Sequence, residues 1–340
     1  MAKMRGFKLL AAILGLVAVA GVGVYLVNSQ DEDGSSAPPM RIVLQLPWTH
    51  SGAFAGYYLA DQDGYYEESG IDIGFREGGG PIDPIAAVLD GKAQFGIASG
   101  NHLLQARAAG HPIRVLAAVH QLNPIVFAVL EESGIRHPRQ FAGKTIRASQ
   151  TNLPILQALA KRFGIDRDAY TVVDLENTQE VYERLYQGEI DVMTGFHFWT
   201  PNKMDKDGKK AFYMYPDDYG IHFYRDSIFT TDDFVAAHPK IVEGFLRATF
   251  LGWTRAAEDP NRAGPMTRVY RPEADTQHAT AFLTAMLPLI NTGEMPIGWM
   301  RDEIWESMAN TLKNLDLLPS SFDSENAYTM QFLRKIYARE

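Results

Sequence analysis

The sequence predicts an α/β protein of two lobes built from parallel βαβ units. Short β-branched runs alternate with segments of helical apolar spacing along most of the chain, the pattern of parallel strands linked by crossover helices. The 340 residues, 46% hydrophobic and 21% charged, suffice for two modest lobes around real cores. Two extended segments, Ile125 to Leu130 and Phe223 to Thr231, separate one set of units from the other.

At the amino end, Lys3, Arg5 and Lys8 precede an uncharged run of 19 residues from Leu9 to Val27. At ~1.5 Å rise per residue a helix of that length nearly spans a ~30 Å hydrocarbon core. Basic residues ahead of the run predict that the amino end stays in the cytoplasm and the rest is exported. Two fates stay open. Ala18-Val19-Ala20 offers a small-residue cleavage site, whereas the length of the run and bulky Tyr25, Leu26 and Val27 favour an uncleaved anchor. Residues 1–27 are therefore a signal peptide or membrane anchor. Residues 28–40, polar and without apolar periodicity, are a flexible tether.

The exported part opens with the strand Arg41 to Leu46, ended by Pro47. Trp48, His50, Phe54, Tyr57 and Tyr58 then fall within eleven residues, with Phe54, Tyr57, Tyr58 and Tyr65 at helical spacing. Such aromatic density beside polar groups suits either a wall for a flat organic ligand or the core of a first helix. A strand at Ile71 to Phe75 leads to Gly78-Gly79-Gly80, where backbone must turn sharply or approach another segment closely. A helix at Pro84 to Leu89, a strand at Gln94 to Ala98, a helix at His102 to Ala109 and a strand at Val115 to Val119 follow.

After Ile125 to Leu130 a second unit opens with the strand Gly143 to Ala148 and the helix Leu153 to Phe163. Ser149 to Asn152 precede that helix and Pro154 lies in its first turn, a capping arrangement whose free amides would suit an anion or serve the helix alone. A strand at Thr171 to Leu175, a helix at Thr178 to Gln187 and a strand at Ile190 to Thr194 lead to a second aromatic cluster, Phe196 to Trp199. That cluster stands at a strand's carboxyl end, where ligands of open α/β sheets collect. Lys203 to Lys210 is a charged surface loop. From Asp232 the pattern is helical to the end, with helices near Gln277 to Leu287, Met300 to Leu312 and Asn326 to Ala338.

Composition excludes several classes. A net charge of −9 argues against nucleic acid as a partner, which would require a basic face. The chain has no cysteine, so disulfides, thiolate zinc sites and a cysteine nucleophile are ruled out. Phosphate-binding, zincin, serine-hydrolase and EF-hand motifs are absent, and GGGPIDP is not a dinucleotide fingerprint. The nine histidines are scattered rather than set at metal spacing; His50 and His197 stand out because each sits in an aromatic cluster beside a strand end.

The stretch WTHSGAFAGYYLADQDGYYEESGIDIGFREGGG, followed by VLDGKAQFGIASGNHLLQARAAGHPIRVLAAVHQLNP, resembles the solute-binding family of the SsuA aliphatic-sulfonate binders and the thiamine-pyrimidine precursor proteins. PDDYGIHFYRDSIFTTDDFVAAHPKIVEGFLRATFLGW is also similar to that family, and the resemblance runs from about Arg41 to the carboxyl terminus. It implies a two-lobed type II periplasmic binding protein fold with two extended crossovers and a helical carboxyl-terminal region, preceded by the hydrophobic amino-terminal helix. Lobe one would comprise residues 41–128 plus 226–340 and lobe two residues 129–225.

The implied function is that of an extracytoplasmic binding protein of an ABC-type uptake system, monomeric and without cofactor. It would capture a small, heteroaromatic ligand related to the thiamine pyrimidine precursor and pass it to a permease. Trp48, Phe54 and Tyr58 would stack on the ligand, and Ser99, Asn101, Gln121 and Asn152 would orient its polar edge. His50, His197, Trp199 and Tyr219 complete the candidate contacts. Phe54 stands where many pyrimidine-precursor binders carry a histidine, and Phe198-Trp199-Thr200-Pro201 replaces a polar corner, which favours a flatter, less polar ligand. Two alternatives remain: a pyrimidine synthase using a pyridoxal cofactor, whose relatives carry a cysteine-rich motif that this chain lacks, and a ligand-sensing partner of a membrane signalling protein.

Overall fold

The structure, a computed structural model, describes residues 38–175 and 177–338. The expected segment 1–27 and almost all of the tether 28–40 lie outside the described residues. Among the described residues no helix is long and apolar enough to cross a membrane.

The unit Pro39–Glu340 is built on two five-stranded sheets. In the first, β1 (Met40–Gln45) buries Ile42 and Leu44 and pairs in parallel with β2 (Ile71–Arg76), Met40 opposite Ile71 through Gln45 opposite Arg76. The helices α1 (Ala55–Gln62) and α2 (Tyr65–Glu68) link them. Next come α3 (Pro84–Leu89), β3 (Phe95–Ala98), α4 (Gly100–Ala108) and β4 (Ile113–His120). In the second sheet, β5 (Ile125–Leu130), β6 (Thr145–Arg147), α5 (Leu153–Arg162), β7 (Thr171–Val173), α6 (Thr178–Tyr186), β8 (Val192–Phe196), α7 (Thr200–Lys206) and β9 (Ala211–Met214) follow in turn.

The chain then re-enters the first sheet as β10 (Arg225–Thr231) and continues as α8 (Asp232–Ala237), α9 (Pro239–Glu258), α10 (Ala263–Tyr270), α11 (Thr276–Ile290), α12 (Asp302–Asn314) and α13 (Gln331–Tyr337). The strand orders are β2-β1-β3-β10-β4 and β7-β6-β8-β5-β9. The two halves thus share one topology. In each, the strand arriving from the other half runs antiparallel to both of its neighbours.

This topology corrects the expected lobe boundaries. Ile125–Ala128, assigned to lobe one, pair with Met193–Phe196 in the second sheet, and Arg225 pairs with His120 in the first. The crossovers are the stretches 121–124 and 215–224. The misreading has a physical cause: a central strand buried on both faces is apolar at every position, so it has none of the alternation that marks a half-exposed strand. Half of the expected loop at Lys203 to Lys210, Lys203–Lys206, belongs to helix α7; Lys203 lies over Tyr182 and Lys209, beyond the helix, over Tyr186. The helix ends at Lys206, capped by Asp207, and Gly208 just past the cap has a φ of 69° that suits glycine. The final helix starts at Gln331 rather than Asn326, because Ser324–Ala327 form a 3₁₀ turn capped by Asp323.

The core of the first half is aromatic. Phe95 stacks on Phe245 at 3.9 Å, and Trp253 and Trp305 are fully buried. Helices α1 and α9 cross at glycines: a Cβ on Gly56 would lie 2.1 Å from the Trp253 ring, and one on Gly252 would lie 2.1 Å from the Gly56 carbonyl oxygen.

Candidate functional site: a polar cluster at the second crossover

The second crossover delivers Arg225 to the first position of β10, in register with His120 at the end of β4. Arg225 Nη1 donates to Asn152 Oδ1 at 3.1 Å, and its guanidinium lies 5.1 Å above the Phe196 ring. Asn152 stands at the start of α5 and Phe196 at the end of β8, both in the second half. From the first half, the Gly100 amide donates to the Tyr224 carbonyl at 3.0 Å, which brings the β3–α4 turn to the same crossover. Strand ends and helix starts from both sheets therefore converge on Arg225, the location where open α/β folds hold ligands.

The backbone is unusual here. Asp226 has φ of 49°, left-handed for a residue with a Cβ, and its Oδ2 lies 3.6 Å from His120 Nδ1. Such conformations persist only where the surroundings fix them, often at ligand sites. Both His120 ring nitrogens and Asn101 Nδ2 are buried without a protein hydrogen-bond partner. Burial holds the His120 imidazole below its ordinary pKa, with the Asp226 carboxylate opposing that shift and the Arg225 charge reinforcing it. His102 is lowered in the same way, by burial and then by Arg225. Burial also lowers Arg225 itself, and among the described residues no carboxylate lies within ion-pair distance of it.

Of the residues expected from sequence, Asn101, Asn152 and Ser99 gather at this cluster; Ser99 precedes α4 and leaves its side chain free of the helix cap. Asn152 also makes no side-chain cap for α5, since its oxygen is taken by Arg225. Trp48 is 61% exposed beside Gly79, and Gly78 fits only because a Cβ there would lie 2.2 Å from the Leu46 carbonyl oxygen. Gly79 and Gly80 have φ of 94° and 56°, so the three glycines combine a close approach with a sharp turn.

Other expected residues face protein. Phe54 is buried. Tyr58 stacks on Tyr270 at 4.3 Å, meets the Phe75 edge, and shares its hydroxyl with His50 Nδ1 at 2.7 Å. Phe54 and Tyr58 thus turn their rings to the core in this conformation, where Tyr270 of α10 covers Tyr58 and Ala279 of α11 lies against Gly52 in the turn before α1. His50 also donates its amide to Glu77 and stacks on Tyr270; burial lowers its pKa. Gln121 ties the first crossover to the segment after α11, donating to the Pro296 carbonyl and accepting from Thr292 Oγ1. His197 shares a hydrogen bond with the Tyr215 hydroxyl at 3.1 Å, and Tyr219 meets Phe163 and His137 edge-on. Trp199 packs edge-on against His278, and Phe198 lies 4.6 Å from Phe282, so the second aromatic cluster bridges the second half to α11.

Sequence reasoning missed Arg225, Asp226, His120 and His102. One signal was legible: Arg225-Asp226 is a charged pair opening a strand directly after a crossover. Among the described residues no group of three or more His, Asp or Glu could hold a metal ion.

The sequence profile described as "NMT1/THI5 like" matches residues 51–263. The chain is 25% identical over 297 residues to the 4-amino-5-hydroxymethyl-2-methylpyrimidine phosphate synthase of Legionella pneumophila, covering 86% of this chain and 92% of that protein. It is 23% identical over 337 residues to the formylaminopyrimidine-binding protein of Halalkalibacterium halodurans, covering 96% and 99%. The fold is similar to that of the alkanesulfonate-binding protein SsuA from Xanthomonas axonopodis pv. citri, with a TM-score of 0.64 at 16% identity over 86% of this chain and 99% of that one. With its two crossed-over sheets of matching topology, the chain has the periplasmic binding protein fold and belongs to the NMT1/THI5-like family.

Proposed function

We propose that this protein captures a small, flat heteroaromatic molecule, related to the pyrimidine precursors of thiamine, between its two sheets and delivers it to an ABC permease on the outer side of the membrane. Residues 9–27 would lead or anchor it there. The observation that carries this reading is the Arg225 cluster, where polar groups from both halves converge and the Asn101 amide nitrogen and both His120 ring nitrogens are buried without a protein hydrogen-bond partner. Unmet buried polar groups cost free energy unless a ligand or water satisfies them. Trp48, exposed beside the glycine turn, would supply the stacking surface, and Ser99, Asn101 and Asn152 the polar edge. The pyrimidine-binding relative supports the ligand class.

A second reading, synthesis of the pyrimidine, is favoured by the names of several relatives. That chemistry holds pyridoxal through a lysine amine. The groups that touch Arg225 and its neighbours are histidine, asparagine, aspartate and phenylalanine, with no lysine among them, so this cluster does not fit the cofactor.

A thermal-shift series on the purified chain separates the readings. Formylaminopyrimidine or 4-amino-5-hydroxymethyl-2-methylpyrimidine at about 100 times Kd should raise stability by about 2.7 kcal/mol. Preference for an alkanesulfonate over both would overturn the ligand class. A pyridoxal absorbance band together with pyrimidine formation would replace binding by synthesis.

A further inference from the structure

Resting on the reading above, we infer that His120 touches the ligand directly: Asp226 keeps the ring proton on Nδ1, and Nε2 accepts from an N–H of the bound molecule, the exocyclic amine of an aminopyrimidine. His120 is the last residue of β4 and Arg225 the first of β10, and the two stand opposite each other in the antiparallel ladder. Side chains opposite each other in such a pair leave the same face of the sheet. Arg225 reaches Asn152 and Phe196 of the second half, so the face it shares with His120 looks across to that half. His120 is 2% exposed, and neither ring nitrogen has a protein hydrogen-bond partner among the described residues. A buried imidazole in that state costs free energy that a ligand N–H removes.

Asp226 decides which nitrogen accepts. A neutral imidazole carries one proton, so one nitrogen donates and the other accepts. A carboxylate only accepts, and Asp226 Oδ2 lies 3.6 Å from Nδ1, on a left-handed backbone with φ of 49°. That neighbour favours the proton on Nδ1 and leaves the Nε2 lone pair free, as a carboxylate does when it orients a metal-ligating histidine. Burial, together with the Arg225 charge, keeps the ring from taking a second proton against the opposing pull of Asp226. On the other side of β10, the Gly100 amide donates to the Tyr224 carbonyl, and the next residue, Asn101, has its Nδ2 buried as a donor without a partner. The cluster thus offers a donor and an acceptor, the complement of a ring nitrogen beside an amino group.

The test is long-range proton–nitrogen NMR of the full chain labelled at the histidine nitrogens, with 4-amino-5-hydroxymethyl-2-methylpyrimidine as the probe and His120→Gln to assign the ring. The free protein should show His120 protonated on Nδ1 and bare on Nε2, and saturating probe should move the Nε2 resonance upfield while Nδ1 stays protonated. In calorimetry, His120→Phe, which keeps a ring but loses the acceptor, should weaken the probe about tenfold or more, the fold-change of a buried donor left unpaired. His120→Gln should recover part of that loss through its amide oxygen. Asp226→Asn, tolerated at a left-handed position, should raise the share of rings protonated on Nε2 and weaken the probe, a change of tautomer that a purely structural role would not produce. The NMR measurement on the parental chain decides the matter if a variant does not fold. Probe bound with Nε2 unmoved or protonated would overturn the role of His120 and leave the binding function standing. Failure of the parental chain to bind either this probe or formylaminopyrimidine would overturn the reading beneath it.

Discussion

Trp48 and Tyr58 lie ten residues apart in one aromatic-rich stretch, yet the fold gives them opposite surroundings. Tyr58 is on the inward face of α1, stacked on Tyr270, whereas Trp48 ends beyond β1 with 61% of its surface in solvent. Trp48→Ala should therefore leave the melting temperature unchanged while weakening ligand binding by about 2- to 10-fold, the worth of one aromatic stacking partner. Calorimetry and thermal unfolding check the two halves of this statement, and unchanged affinity would return Trp48 to a surface role.

Histidines carry a second prediction at the residue scale. His50, His102, His120 and His197 all have pKa values lowered by burial, so the folded state keeps them neutral. Below their ordinary value of about 6.5 the unfolded chain binds protons that the folded one refuses, so unfolding free energy falls as pH drops from there toward the lower folded values. His222, raised by its hydrogen bond to Asp217, acts in the opposite sense, stabilising below about 6.5 and losing that contribution as pH rises through its folded value. The four lowered groups outnumber it, so the melting temperature should fall from pH 7 to pH 5. His120→Asn should flatten the slope; an unchanged slope would remove His120 from the account.

At the scale of elements, the close crossing of α1 and α9 is built from absent side chains. Gly56 and Gly252 let the two helices touch, and Trp253 fills the space over Gly56. Gly56→Ala raises helix propensity yet drives a methyl into the Trp253 ring, and the clash outweighs the gain. Urea denaturation should show a loss of about 1–3 kcal/mol for Gly56→Ala. A similar change at Gly64, which has open space around it but φ of 81°, would cost through backbone strain alone. Helical periodicity made the existence and approximate limits of α1, α3, α5 and α6 readable, because each buries one apolar face. The edge strand Ala211–Met214 was not readable, since its burial comes from Phe127 to Leu130 on the neighbouring strand.

At the scale of the whole molecule, the contacts of Phe198 with Phe282 and of Trp199 with His278 join the second half to a helix of the first. Hinged binding proteins take up ligand by shifting between open and closed arrangements, and contacts present in one of them weight the balance. Removing the Phe198 ring takes away about 0.5–1.5 kcal/mol from this arrangement. Phe198→Ala should lower ligand affinity by up to about tenfold and enlarge the radius of gyration of the free protein in small-angle scattering. Affinity and radius both unchanged would show that these rings pack without influencing closure.

The sequence by itself determined the fold class, the order of nearly all strands and helices, the close turn at the glycine triplet and the absence of cysteine chemistry. Each of these rests on local spacing or on composition, which a chain carries with it before it folds. It also placed Asn101 and Asn152 among the candidate polar residues. Tertiary structure alone decided which aromatics face solvent and which strand belongs to which sheet. It also decided that Arg225 meets Asn152 and Phe196, 73 and 29 positions away in the chain, and that Asp226 lies beside His120, 106 positions away. The reason is topological: β10 returns to the first sheet between β3 and β4, and only that insertion brings its first residue against groups from both halves.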